Sequence, residues 1–157
     1  MTSVFRTTSV VRSLHIAIQA NNTMVLGEIM LNIILVGLGG VIGALLRYFA
    51  GEVFSKYTVF FPVSTLCINV AGSYLLSVIL YLSKYTSFIP GQVRLFLSVG
   101  VLGAFTTMSA FGCEAVRFLD SGSYGYFALY VLLTVGLVIG AVILGKVSAG
   151  GIAHLFA

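Results

Sequence analysis

The chain has 157 residues, of which 59% are hydrophobic and 8% charged, and its mean hydropathy is +1.12. A soluble domain carries roughly 25% charged residues, so this composition excludes an ordinary soluble protein, and it equally excludes a disordered chain. The net charge of +4 reflects eight dispersed Lys and Arg against four Asp and Glu, which form no basic patch and indicate no nucleic-acid partner. The composition is that of an integral membrane protein.

Residues 1–29 differ from the rest of the chain. They carry Arg6 and Arg12, several Ser and Thr, and no acidic residue before Glu28. Their apolar stretch is too short for the core of a secretory signal. We expect a dispensable extension, or the product of an upstream start codon with Met30 as the functional start. The remaining residues, 30–157, form the transmembrane domain.

Four apolar stretches between charged residues are long enough to cross a bilayer, which takes about 20 helical residues. They are predicted at about 30–50, 58–83, 94–117 and 123–146. Such long uniform runs do not fit the short alternating strands of a membrane barrel. We predict an all-α protein with four transmembrane helices, located in the cell membrane.

The Lys and Arg residues beyond residue 30 divide evenly between the two sides of the membrane. One side carries Arg47, Lys56 and Arg117, and the other carries Lys84, Arg94 and Lys146. Because the distribution of positive charge sets orientation, this balance favours neither direction of insertion. It is compatible with dual topology and an antiparallel dimer.

The first span has small residues four apart, Gly39 with Gly43 and Gly40 with Ala44, a spacing that allows close helix packing. Arg47, at the end of this span, either reaches the lipid headgroups or acts as a fixed cation at a pore mouth. In the second span, Thr65, Asn69 and Ser73 share one helix face. Asn69 lies near mid-span, where an amide is costly without a partner. It either forms a hydrogen bond between helices or lines an aqueous vestibule, and the residues alone do not decide.

The third span contains a hydroxyl cluster, Thr106, Thr107 and Ser109, surrounded by glycines. Hydroxyl groups that bond to backbone carbonyls, together with glycine, weaken a helix, so we predict an interruption at the centre of this span. The freed carbonyl oxygens would suit a small hard cation. In the fourth span, Tyr126, Tyr130 and Thr134 form a second hydroxyl stripe. With no histidine and no carboxylate in a span centre, nothing indicates an enzyme.

Three segments resemble, in order, the signature segments of the CrcB/Fluc fluoride channels. They are GGVIGALLRY (39–48), STLCINVAGS (64–73) and GAFTTMSAFGCE (103–114). The resemblance implies a passive, fluoride-selective channel that exports cytoplasmic fluoride and gives fluoride resistance. It also implies an antiparallel, dual-topology homodimer with two pores, a third helix interrupted at its centre, and a structural Na⁺ at the dimer interface.

The resemblance also assigns residues to these roles. The Na⁺ would be held by the carbonyls of Gly103 and Thr106. The pore would be lined by Asn69, Met108, Ser109, Phe111, Tyr130 and Thr134. Met108 replaces one of two family phenylalanines, and Ala110 replaces a hydroxyl residue. Arg47 and Glu114 are expected at the pore mouth or in a structural role.

Two alternatives belong to other functional classes. The first is a small dual-topology multidrug exporter, which would be expected to bury a carboxylate at mid-membrane. The second is a non-transporting subunit that packs against a partner, in which the hydroxyl stripes only join helices. Fluoride efflux from liposomes distinguishes these alternatives from a channel.

Overall fold

The computed structural model describes residues 2–54 and 60–155, with side chains described at residue 19 and from residue 21 onward within those ranges. All regular elements in this part of the chain are helical: α1 (Thr2–Phe54), α2 (Val63–Tyr85), α3 (Gly91–Leu95), a π-helix (Phe96–Leu102), α4 (Gly103–Phe105), α5 (Met108–Asp120) and α6 (Tyr124–His154). The chain forms two units, Met1–Ile34 and Leu35–Ala157. In the first, the described side chains from 21 to 34 are exposed. The packing described below lies within the second.

Four segments of the described chain are long and apolar enough to cross a membrane, which confirms the predicted number of spans. They are Asn21–Phe54, Val63–Tyr85, Gly91–Asp120 and Tyr124–His154. The protein is therefore a multi-pass membrane protein. The predicted start of the second span, near 58, lies outside the described residues.

The first and last helices are longer than predicted. The first includes Glu28 and the last continues past Lys146. Charged residues limit the stretch that lipid tails can surround, but Glu and Lys are good helix formers and do not end the helix itself. The amine of Lys146 lies 5.5 Å from the centre of the Tyr81 ring, a cation–π contact between α2 and α6. The expectation that residues 1–29 are dispensable stays a prediction.

Helices α2 and α6 pack closely along their length. A side chain at Gly145 would lie 2.6 Å from the Tyr74 carbonyl oxygen, so glycine is required at this crossing. Nearby, the Ser77 hydroxyl donates a hydrogen bond of 2.6 Å to the Val142 carbonyl. In a membrane, apolar contact between two helices is no more favourable than contact between a helix and lipid. Close packing at small residues and hydroxyl–carbonyl hydrogen bonds therefore hold the helices together.

The third span passes from a π-helix into α4 and then into an extended segment. Thr106 has φ −74° and ψ 155°, and Thr107 has φ −146° and ψ 111°, so both residues have β-region dihedrals. Helical bonding resumes at Met108, where α5 begins. We call Thr106–Thr107 the extended segment. Its two residues belong to the hydroxyl cluster identified in the sequence, and they separate α4 from α5.

Candidate functional site

The extended segment supplies its own helix cap. The Thr107 hydroxyl accepts a hydrogen bond of 3.2 Å from the Ala110 backbone N–H, the bond that a threonine at an N-cap makes with the first turn of a helix. The same hydroxyl lies 3.2 Å from the Ser109 hydroxyl. On the other side, the Thr106 N–H and hydroxyl both donate to the Leu102 carbonyl, each at 3.1 Å. Local hydroxyl groups thus form hydrogen bonds on both sides of the extended segment.

Asn69 holds the extended segment from the second span. Its Oδ1 accepts from the Thr107 N–H at 2.7 Å, and its Nδ2 donates to the Thr107 carbonyl at 2.9 Å. The side chain is only 7% exposed. Of the two interpretations left open by the sequence, the structure therefore has the interhelical hydrogen bond. Because a primary amide has two N–H donors, one N–H remains for another acceptor.

Gly72, one turn after Asn69, makes room for the extended segment. A Cβ at this position would overlap the Thr106 methyl group and lie 3.1 Å from the Phe105 ring. The second span therefore contacts the extended segment in two ways. The Asn69 side chain forms hydrogen bonds with it, and one turn later the backbone at Gly72 packs directly against it. The pair shares a helix face because residues three apart lie on the same side.

Two carbonyls at the extended segment lose the donors they would have in a continuous α-helix. The Thr107 N–H, which would bond to Gly103, goes to Asn69 instead. The Ala110 N–H, which would bond to Thr106, goes to the Thr107 hydroxyl. The two carbonyls predicted as cation ligands, those of Gly103 and Thr106, are thus among those whose regular helical donors bond elsewhere.

The first span contacts the third through one stripe of residues spaced four apart. A Cβ at Gly39 would lie 2.8 Å from the Phe96 carbonyl oxygen, and one at Gly43 would overlap the Val101 carbonyl oxygen. The predicted packing role is confirmed for Gly39 and Gly43, whereas Gly40 has open space around it. One further turn along, Arg47 places Nη1 3.5 Å from the Thr106 carbonyl oxygen, at the long end of the hydrogen-bond range.

Glu114 joins three spans. Its Oε1 accepts from the Thr65 hydroxyl at 2.8 Å, and its Oε2 accepts from the Tyr130 hydroxyl at 2.6 Å. A phenol has one proton to donate, and in this structure Tyr130 donates it to the carboxylate. Bonds to an ionised acceptor are shorter and stronger than neutral ones. Glu114 therefore links α2, α5 and α6 through hydrogen bonds, and its expected place at the pore mouth or in a structural role stays a prediction.

The Tyr130 ring is fully buried in an aromatic cluster. The Phe111 ring centre lies 5.1 Å from it, that of Phe61 lies 5.3 Å away at 83°, and that of Phe118 lies 6.0 Å away at 70°. Tilted and edge-to-face pairs at these separations are favourable because ring edges are positive and ring faces negative. Phe111 and Tyr130, which were predicted to line the pore together, are in contact.

Three other predicted pore residues, Met108, Ser109 and Thr134, are not members of this cluster. Met108 is 74% exposed, and Ser109 is exposed beside it. Thr134 is 5% exposed, and its hydroxyl is a buried polar atom with no hydrogen-bond partner among the described residues. A buried hydroxyl normally has a partner, so Thr134 is a candidate ligand-facing group.

A cleft of about 690 Å³ lies where α2 begins and α5 ends. It is lined by Gly51, Phe60, Phe61, Pro62, Ser64, Thr65, Glu114, Arg117, Phe118, Asp120 and Ser121. Thr65 and Glu114, which are hydrogen-bonded to each other, are part of this lining. The cleft therefore reaches one of the hydrogen bonds that join the second and third spans.

Sequence reasoning missed two features of the site. One is Thr107 as cap and as the backbone held by Asn69, and the other is the Thr65–Glu114–Tyr130 connection. The Thr65–Asn69 stripe was the available signal, since one helix face carrying two polar groups four residues apart needs polar partners on a neighbouring helix. Which partners it meets depends on tertiary packing.

Comparison with known proteins places the chain among related membrane proteins. Residues 34–146 match the family model described as "CrcB-like protein, Camphor Resistance (CrcB)". A Methanosarcina barkeri protein named fluoride-specific ion channel FluC 3 is 46% identical over 123 residues, covering 78% of this chain and 93% of the relative. FluC 1 of Methanosarcina acetivorans is 42% identical, covering 76% and 92%. FluC of Ruminiclostridium cellulolyticum is 35% identical, covering 80% and 98%.

Proposed function

The chain belongs to the CrcB-like family, and we propose that it is a fluoride-specific ion channel that passively exports cytoplasmic fluoride and gives fluoride resistance. The observation that carries this proposal is the likeness to relatives named fluoride-specific ion channels, at 35–46% identity over most of the chain. The neutral donors and aromatic groups around the extended segment support it. The activity is transport, with no chemical conversion of the ion.

A pore for a small anion must replace tightly held water with donors at short range. The second N–H of Asn69, the hydroxyls of Ser109 and Thr134, and the positive ring edge of Phe111 are such groups. All are uncharged, so they bind a halide weakly enough to release it. Tyr130 contributes by holding Glu114 and contacting Phe111, and its hydroxyl becomes a pore donor only if it leaves the carboxylate.

Met108 and Ala110 depart from the family pattern. Methionine is bulky and polarizable but has no aromatic edge, and alanine has no hydroxyl. The exposure of Met108 supports a place on the surface that a second subunit or the pore would cover. We expect conduction to survive, with Phe111 and the remaining hydroxyls carrying more of the anion contact.

The functional assembly we propose is an antiparallel, dual-topology homodimer. The even division of Lys and Arg supports it, as does the exposure of Met108 and Ser109 next to the buried Thr107. In this assembly the third span works as a helix broken at Thr106–Thr107, and each subunit contributes to two pores.

We further propose a structural Na⁺ at the dimer interface, held by the carbonyls of Gly103 and Thr106. The diverted donors at these carbonyls support this fit, because backbone oxygens without helical partners suit a hard cation. A carbonyl oxygen has two lone pairs, so the Arg47 contact leaves the Thr106 oxygen able to accept a second partner. Bound there, the ion would neutralise the partial negative charge of the carbonyls.

The test is fluoride release from liposomes that contain the full chain, with and without an imposed proton gradient. Fluoride enters cells as a neutral weak acid and dissociates inside, so a passive pore suffices to export the anion. We expect fluoride to leave at the same rate in both conditions. Release that requires the proton gradient would indicate a coupled exporter, and no release would indicate a subunit that only packs against a partner.

A further inference from the structure

The extended segment ends the first half of the third span at Thr106, inside a membrane helix. The last carbonyls of a helix point outward without donors and carry the negative end of the helix dipole. In water they would be solvated, but at membrane depth they need a partner from the protein. Thr106 directly follows α4 with an extended ψ of 155°, and its carbonyl has lost its helical donor, since the Ala110 N–H bonds to the Thr107 hydroxyl.

Arg47 is the side chain that reaches this carbonyl. Its Nη1 lies 3.5 Å from the Thr106 oxygen, and the bond is part-buried. An arginine near a helix C-terminus both donates to free carbonyls and complements the dipole. Here it comes from a different span, 59 residues away in sequence, so it links the first helix to the interruption in the third.

The route of the first span fixes where Arg47 arrives. Gly39 contacts the backbone at Phe96, and Gly43 contacts the backbone at Val101. Arg47 follows on the same face, four residues after Gly43, and reaches Thr106. Successive turns of α1 therefore face successive positions along the third span. The two glycine contacts fix the register of the two helices, and in that register the Arg47 guanidinium reaches the Thr106 carbonyl.

We propose that Arg47 is a positioning residue that caps the carbonyl end of the interrupted third span, in addition to any effect of its charge at a pore mouth. The inference rests on the proposed channel function, because the carbonyl it holds lies beside the residues assigned to the pore. The contact between Arg47 and the carbonyl is short-range and part-buried, so salt screens it little. A fixed charge at a pore mouth acts on the anion through solvent, so salt screens its effect strongly.

The test compares Arg47→Lys, Arg47→Gln and Arg47→Met in fluoride efflux at two ionic strengths set with an impermeant salt. Between about 0.01 M and 1 M the screening length falls from about 30 Å to 3 Å. We expect R47Q and R47M to lose about 10- to 100-fold in rate at both ionic strengths, and R47K to keep most of the rate. The matched control is Arg94→Gln, at an exposed arginine near the beginning of the third span, and any effect it has should vanish in high salt.

Two results would overturn the proposal. Convergence of R47Q with wild type at high salt would assign Arg47 to long-range attraction of the anion, and equal rates for R47M and wild type would assign it to the headgroups. If R47M does not fold, the R47K and R47Q pair decides. If wild type releases no fluoride, the proposed function fails, but unfolding temperatures still test the cap: R47Q should melt about 2–8 °C below wild type, and R94Q should not.

Discussion

Replacing Asn69 with leucine removes both hydrogen bonds that hold Thr107 while keeping a side chain of similar size. The Thr107 N–H and carbonyl, bonded at 2.7 and 2.9 Å in the native protein, would be left buried. Each unsatisfied buried group costs about 1–3 kcal/mol, so the pair costs about 2–6 kcal/mol. At 1.4 kcal/mol per factor of ten, this is about a 30-fold to 10⁴-fold change in the equilibrium that holds the segment in place.

We therefore expect N69L to lower the thermal unfolding temperature in detergent and to reduce fluoride efflux together. The matched control is Ser73→Ala, one turn further along the same face of α2, which should change both quantities little. The reasoning would be refuted if N69L unfolded at the wild-type temperature while efflux fell. Asn69 would then be a pore ligand without the structural role inferred from its two bonds to Thr107.

Four further substitutions, the first with a matched control, test other features of the site. Gly43→Ala should push the third span away from the first and lower efflux at least tenfold, whereas Gly40→Ala, with open space around it, should stay near wild type. Met108→Phe should conduct at a rate comparable to wild type, and a silent wild type beside a conducting variant would show that methionine inactivates the pore. Thr134→Val removes a buried hydroxyl without a described partner, so efflux should fall while the unfolding temperature stays unchanged. Thr65→Val removes a hydrogen bond to the Glu114 carboxylate and should lower the free energy of unfolding by about 1.5–3 kcal/mol. A lower unfolding temperature for T134V would mean that its hydroxyl supports folding instead.

The number of spans could be predicted from the sequence because the bilayer imposes a length and a composition on each one. The helix ends could not, since charged residues such as Glu28 and Lys146 mark the edge of the lipid tails while α1 and α6 continue through them. The close packing at Gly39 and Gly43 in the first span could also be predicted, because glycines four residues apart allow the backbones of two helices to approach closely.

The polar contacts of the site were less predictable. A mid-span amide indicates that Asn69 needs a hydrogen-bond partner. That partner is the buried backbone of Thr107, whose N–H can bond to a side chain because the chain there is extended. Arg47 lies at the end of a span, where arginine commonly reaches headgroups. Its contact with Thr106 depends on how two spans cross. Backbone groups carry no sequence signature, so contacts to them emerge only from the fold.

The most direct test of the central claim is the ratio of fluoride to chloride efflux from liposomes, measured with ion-selective electrodes on the full chain and on a chain beginning at Met30. A neutral pore built on Asn69, Phe111 and the surrounding hydroxyls predicts rapid fluoride release from both proteins with chloride retained. Liposomes that keep their fluoride as well as protein-free ones, or that release both halides equally, would contradict the account.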